Sequence, residues 1–246
     1  MTRLMALLMV ILLSACATSG SKTDASVRQR AQIHSELAGG YYSQGQMAIA
    51  LEEFTLSSKI DPDYAAAYNG LGLVHAQLGE DAKAESNFKH SLKLDPNSSE
   101  AHNNYGTFLC SRNRFDESIT QFMAALKNPL YATPETAYLN AGVCALKKQD
   151  DKSAEIYLQK ALQIRPELRQ ASGHLARLYF DRKDYPKAKT HLQFAMTSAN
   201  PGPELAWLGV LISRELEDRN GEASYSLLLK NKYPNSEQTK ALLSGK

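Results

Sequence analysis

The chain reads Ala50-Leu51-Glu52-Glu53-Phe54-Thr55-Leu56-Ser57-Ser58-Lys59-Ile60-Asp61-Pro62, and further on Ala84-Glu85-Ser86-Asn87-Phe88-Lys89-His90-Ser91-Leu92-Lys93-Leu94-Asp95-Pro96. The two stretches share one grammar: Ala, Phe, Ser, then Asp-Pro, with the prolines 34 residues apart. Apolar and small residues three and four apart occupy one face of a helix. The residue before proline is pushed out of the α region, so each Asp-Pro ends a helix. A helical repeat of this period stacks into a solenoid, and a solenoid offers an extended surface to a binding partner.

Working outward, six units follow this grammar, near residues 31–64, 65–98, 99–134, 135–168, 169–203 and 204–237. The first has Leu37, Ala38 and Tyr41 before Ala50, Phe54 and Ser57. The second has Tyr68, Leu71 and Gly72 before Ala84, Phe88 and Ser91; the third has Tyr105, Gly106 and Leu109 before Ser118, Phe122 and Ala125. The fourth has Tyr138, Ala141 and Gly142 before Ala154, Leu158 and Ala161, and the fifth Leu175, Ala176 and Tyr179 before Ala188, Leu192 and Ala195. The sixth, with Trp207, Leu211, Ala223 and Leu227, is degenerate and reads as a terminal cap, with a short tail or helix after Pro234. Each unit resembles a tetratricopeptide repeat, a pair of antiparallel helices. Gly or Ala at the eighth position lets the two helices approach, and the large residue at the twenty-fourth fills the gap. The expected fold is all-α, a right-handed superhelical solenoid of about six such repeats, with no strand because no segment alternates with period two. Two irregularities stand out: a two-residue insertion around the proline-bounded segment Asn128 to Pro134, and a smaller slip at Asn200-Pro201-Gly202-Pro203.

Ahead of the repeats, Met1-Thr2-Arg3 leads into an apolar run from Leu4 to Leu13 that is too short to span a bilayer and reads as a secretory signal over residues 1–15. Leu13-Ser14-Ala15-Cys16 resembles a bacterial lipobox. The resemblance implies cleavage before Cys16 and acylation of its thiol, and Ala17, where Asp would favour inner-membrane retention, implies the outer membrane. Thr18 to about Ser26 is rich in Ser, Thr and Gly and reads as a flexible tether within 16–26, leaving 27–246 as the repeat domain.

A formal charge of +2 gives no case for nucleic acid. Cys110 and Cys144 sit near the ends of the first helices of neighbouring units, and an oxidising periplasm would let them form a disulfide; two buried free thiols are the alternative. The six histidines show no metal-ligand spacing, and Ser86-Asn87-Phe88-Lys89 matches only the bare Ser-x-x-Lys pattern: Phe88 is the repeat's own core residue, and the companion motifs are missing. No phosphate-binding loop or nucleophile elbow occurs. We therefore expect no enzyme, no catalytic residue, no metal, no cofactor and no small-molecule substrate.

In tetratricopeptide repeats the first helices line a concave groove. Carried onto this sequence, the groove positions are Tyr42, then Asn69, Leu73 and Gln77, then Asn103, Thr107 and Ser111, then Leu139, Val143 and Lys147, then Arg177 and Phe180. Asn104 and Asn140 are the two residues that fit a terminal-carboxylate clamp, and the lysines of that clamp are missing. An apolar, amide-rimmed groove suits a helix or an extended peptide.

Taken together, the lipobox, the run Asn103-Asn104-Tyr105-Gly106-Thr107-Phe108-Leu109-Cys110 and Asn140-Ala141-Gly142-Val143-Cys144 resemble the type IV pilus biogenesis and stability lipoproteins, or pilotins. That resemblance implies a lipid-anchored protein on the periplasmic face of the outer membrane. Its partner would be the secretin subunit, whose targeting and multimerisation it promotes. Two other classes stay open: an adaptor for peptidoglycan or polysaccharide machinery, and an assembly lipoprotein for β-barrels.

Overall fold

The computed structural model describes residues 17–198 and 200–245, so Cys16 and the leader lie outside the described residues. Thirteen helices and no strands occur among them. They are α1 (Ala17–Ser43), α2 (Met47–Ile60), α3 (Ala65–Gln77), α4 (Asp81–Leu94), α5 (Ser99–Ser111), α6 (Phe115–Ala125) and α7 (Pro134–Lys147), then α8 (Asp151–Ile164), α9 (Arg169–Asp181), α10 (Tyr185–Ala195), α11 (Pro203–Glu215), α12 (Arg219–Lys232) and α13 (Glu237–Leu243). They fall into two compact units, one running to Ser111 and the other from Arg112.

In the first unit, α1 pairs with α2 and α3 with α4, and α5 packs on α3 and α4. A Cβ on Gly72 would stand 2.7 Å from the Phe88 ring, so the small residue is what admits the large one. Phe88 is fully buried, stacked on Tyr105 and tilted against Phe108, each with ring centroids 5.6 Å away. Ser57 and Ser91, the third residues of the opening grammar, donate to the carbonyls of Ala31 and Ala65 at 2.6 and 2.9 Å, tying the last turn of each second helix to the first helix of its pair. Asp61 and Asp95 leave the helix in extended conformations (φ −135° and −133°), as the following proline requires. Their carboxylates then accept from the amides of Asp63 and Asn97.

The second unit repeats the scheme with α7/α8, α9/α10 and α11/α12. A Cβ on Gly142 would meet Leu158 at 2.7 Å. Leu158, Leu175, Leu192 and Ile212 belong to one buried cluster, and Ala206, Val210 and Leu229 form another that Leu242 of α13 packs against. Helix starts are capped by Asp150, Asp184, Asp218 and Ser236, which accept from the amides of Ser153, Lys187, Gly221 and Thr239.

The turns after α1, α3, α5, α7, α9 and α11 each place one residue in the left-handed region: Gly45, Gly79, Asn113, Gln149, Lys183 and Glu217. These positions fix the register. Asn113 and Gln149 are 36 apart, which is the expected two-residue insertion. Lys183 and Glu217 are 34 apart, so the slip expected before the sixth unit is absent. The irregularity there is instead a short second helix: α10, like α6, has 11 residues against 14 in α2, α4 and α8. One residue turns a helix face by about 100°, and Leu227, expected to fill the last gap, is 59 % exposed. Tyr225 lies against Gly209 instead, and Leu229 is buried.

The stretch expected as a tether also differs. α1 begins at Ala17, so the backbone from Thr18 to Ser26 is helical. No proline interrupts it, and extending a helix already formed costs far less than nucleating one.

Candidate partner-binding grooves

The first helices of the first unit border a cavity of about 910 Å³. Tyr42, Asn69 and Leu73, three of the expected groove residues, line it over a floor that includes Gly39, Phe54, Tyr64 and Gly70. Four carboxylates, Glu36, Asp63, Asp95 and Glu100, share the lining with one cation, Arg28, whose Nε is already paired with Asp61 at 2.6 Å. The Tyr64 phenol registers this surplus. Burial pushes its pKa up, and Glu36, Glu100 and Asp61 push it further against the opposing pull of Arg28. Asn69 is buried and accepts a 3.3 Å hydrogen bond from Asn104 Nδ2.

The other expected residues of this unit lie elsewhere. Asn103 is buried, and Gln77, Thr107 and Ser111 are exposed; none of them, nor Asn104, lines the cavity. Thr107 and Ser111 donate back to carbonyls of their own helix, those of Asn103 and Phe108.

In the second unit, α7, α9 and α11 border a cavity of about 630 Å³. Leu139, Asn140, Val143 and Arg177 were expected there and do line it. Lys147 and Phe180 do not: Lys147 is exposed, and Phe180 packs on Tyr185 with ring centroids 5.7 Å apart. Arg169, Gln170, His174 and Leu205 join the lining without having been expected. The signal for one of them was available, since Gln170 holds the second position of its unit, which faces the groove in this fold. Burial alone depresses the His174 pKa, so the imidazole favours its neutral form.

Cys110 and Cys144 are both disulfide-bonded. The Ser118 hydroxyl lies 3.3 Å from Cys144 Sγ. Glu135, at the start of α7, is buried and paired with Arg165 at 3.0 Å, a structural ion pair that the sequence reading had passed over. Among the described residues, no group of three His, Cys, Asp or Glu side chains is placed to hold a metal ion.

Paired helices, small-against-large contacts and a recurring left-handed turn define a tetratricopeptide-repeat protein. Family profiles described as TPR repeat (residues 40–79) and Tetratricopeptide repeat (65–98, 87–120 and 109–169) match the chain. The chain belongs to the tetratricopeptide-repeat proteins and, among these, stands close to the type IV pilus biogenesis proteins PilF and PilW. It is 26 % identical over 233 residues to the type IV pilus assembly protein PilF of Pseudomonas aeruginosa, covering 93 % of this chain and 92 % of that one. The crystal structure of PilW, titled a widely conserved type IV pilus biogenesis factor, matches with a TM-score of 0.80 at 29 % identity, over 87 % of this chain and 99 % of that one. The P. aeruginosa PilF structure shares the fold with a TM-score of 0.83 at 24 % identity, over 90 % of this chain and all of that one.

Proposed function

We propose that this protein is an outer-membrane lipoprotein of type IV pilus biogenesis, without catalytic activity, that binds the secretin subunit and promotes its targeting and multimerisation. The observation that carries the reading is the similarity to a pilus assembly protein across 93 % of the chain. Two cavities bordered by the first helices of their pairs supply the surfaces a partner segment would need. In this proposal Cys16 carries the acyl chains, which bury methylenes at about 0.8 kcal/mol each and hold the repeats at the periplasmic face of the membrane. The cysteines Cys110 and Cys144 are oxidised there by the compartment.

The test is genetic and biochemical. In cells carrying Cys16→Ala, the amount of secretin multimer in the outer-membrane fraction should fall sharply while the protein itself is still made. Multimers at the unaltered level would sink the anchoring account.

A further inference from the structure

The two cavities differ in charge, and the difference assigns them different ligands. The first has four carboxylates and one paired arginine in its lining. The second has Arg169 and Arg177 against a single carboxylate, Glu204. Arg177 is already engaged with Asp181, its Nε 3.0 Å from Oδ2. Arg169 is different. Its Nε donates to Thr197 Oγ1 at 2.9 Å, which fixes the guanidinium without neutralising it, and among the described residues no carboxylate pairs with it. A guanidinium held this way presents its remaining N–H donors in a fork that matches a carboxylate. The floor beside it is apolar, formed by Leu139, Val143, Leu205 and Leu208. Gly173 keeps the wall low: a Cβ there would come within 3.3 Å of Leu205.

We propose that the cavity of the second unit binds an extended protein segment in which an apolar side chain is followed by an acidic one. The apolar side chain seats on the Leu139–Leu208 floor, and the carboxylate pairs with Arg169. The first unit's cavity, rimmed by carboxylates, rejects such a segment. The proposal rests on the reading of these cavities as partner-binding surfaces, and it is tested without secretin or lipid.

Three labelled peptides of one length and one apolar centre are titrated onto the protein lacking its leader, with fluorescence anisotropy as the readout. They carry Glu, Gln or Lys beside the central Leu. The Glu peptide should bind about two- to fivefold more tightly than the Gln peptide, the scale of a single partly exposed ion pair. The Lys peptide should bind least. Arg169→Glu should abolish the preference for Glu, and Arg169→Lys should keep part of it. Lys59→Ala, at an exposed cation outside both cavities, should leave it unchanged. Circular dichroism of each variant shows that the fold is intact. Equal binding of the three peptides, no binding up to about 1 mM, or a preference for Glu that survives Arg169→Glu would overturn the proposal. Loss of secretin multimers in the Cys16→Ala strain would stand whichever way these titrations fall.

Discussion

At the scale of single residues, the left-handed position separates the six turns into two groups. Gly45 and Gly79 adopt positive φ without a Cβ penalty, whereas Asn113, Gln149, Lys183 and Glu217 adopt it with one. Lys183 has φ +62°, and its amide closes the turn onto the Phe180 carbonyl at 2.8 Å, so the conformation is set by the helix end and not by the side chain. Lys183→Gly should therefore stabilise the protein by about 1 kcal/mol and raise Tm by a few degrees in a thermal melt. A drop in Tm would mean that the added freedom of glycine in the unfolded chain outweighs the relieved strain. A second residue-scale expectation concerns acid. Burial depresses the pKa of His174 and, with some opposition from Glu155, that of His191. The unfolded chain then takes up protons that the folded one refuses. Their contribution is fully present above the unfolded value near 6.5 and declines as pH falls below it toward the depressed folded values. Urea midpoints measured from pH 7.5 to 5 should fall, and His174→Gln should flatten that fall. An equal slope in the variant would place the acid sensitivity elsewhere.

At the scale of elements, what was legible in the sequence was whatever rests on a steric rule acting locally. Asp61-Pro62 and Asp95-Pro96 end helices because proline excludes the α region from its predecessor, and both aspartates are extended. Gly72 and Gly142 were readable as close-approach positions because only a missing Cβ admits Phe88 and Leu158 at that distance. The cavities were less legible. Gln77 and Lys147 sit in the last turns of their helices and point to solvent where a mid-helix residue at the same face meets a neighbour. His174 shares its cavity with Leu205 of the next pair and with Pro201 of the connection that follows α10, which stops at Ala195. Short second helices leave long connections, and those connections shape the cavity without any period to announce them.

At the scale of the whole molecule, each unit has its own buried clusters, centred on Phe54 and Phe88 in one and on Leu158, Leu175 and Leu192 in the other. In repeat proteins stability is close to a sum of intrinsic terms and nearest-neighbour interfaces, so damage should stay local. Phe88 is fully buried, and its ring fills the space left by Gly72, stacked on Tyr105 and tilted against Phe108. Phe88→Ala should cost about 3–5 kcal/mol, because it removes the ring and leaves a cavity that the helices, already in contact, collapse only partly to fill. Hydrogen exchange read by mass spectrometry should then show amides of α3, α4 and α5 losing protection, with those of α9 and α10 keeping theirs. Leu158→Ala, whose side chain fills the space at Gly142, should give the converse pattern. Uniform loss of protection along the chain in either variant would mean that the repeats unfold as one cooperative body and that the nearest-neighbour description is wrong for this protein.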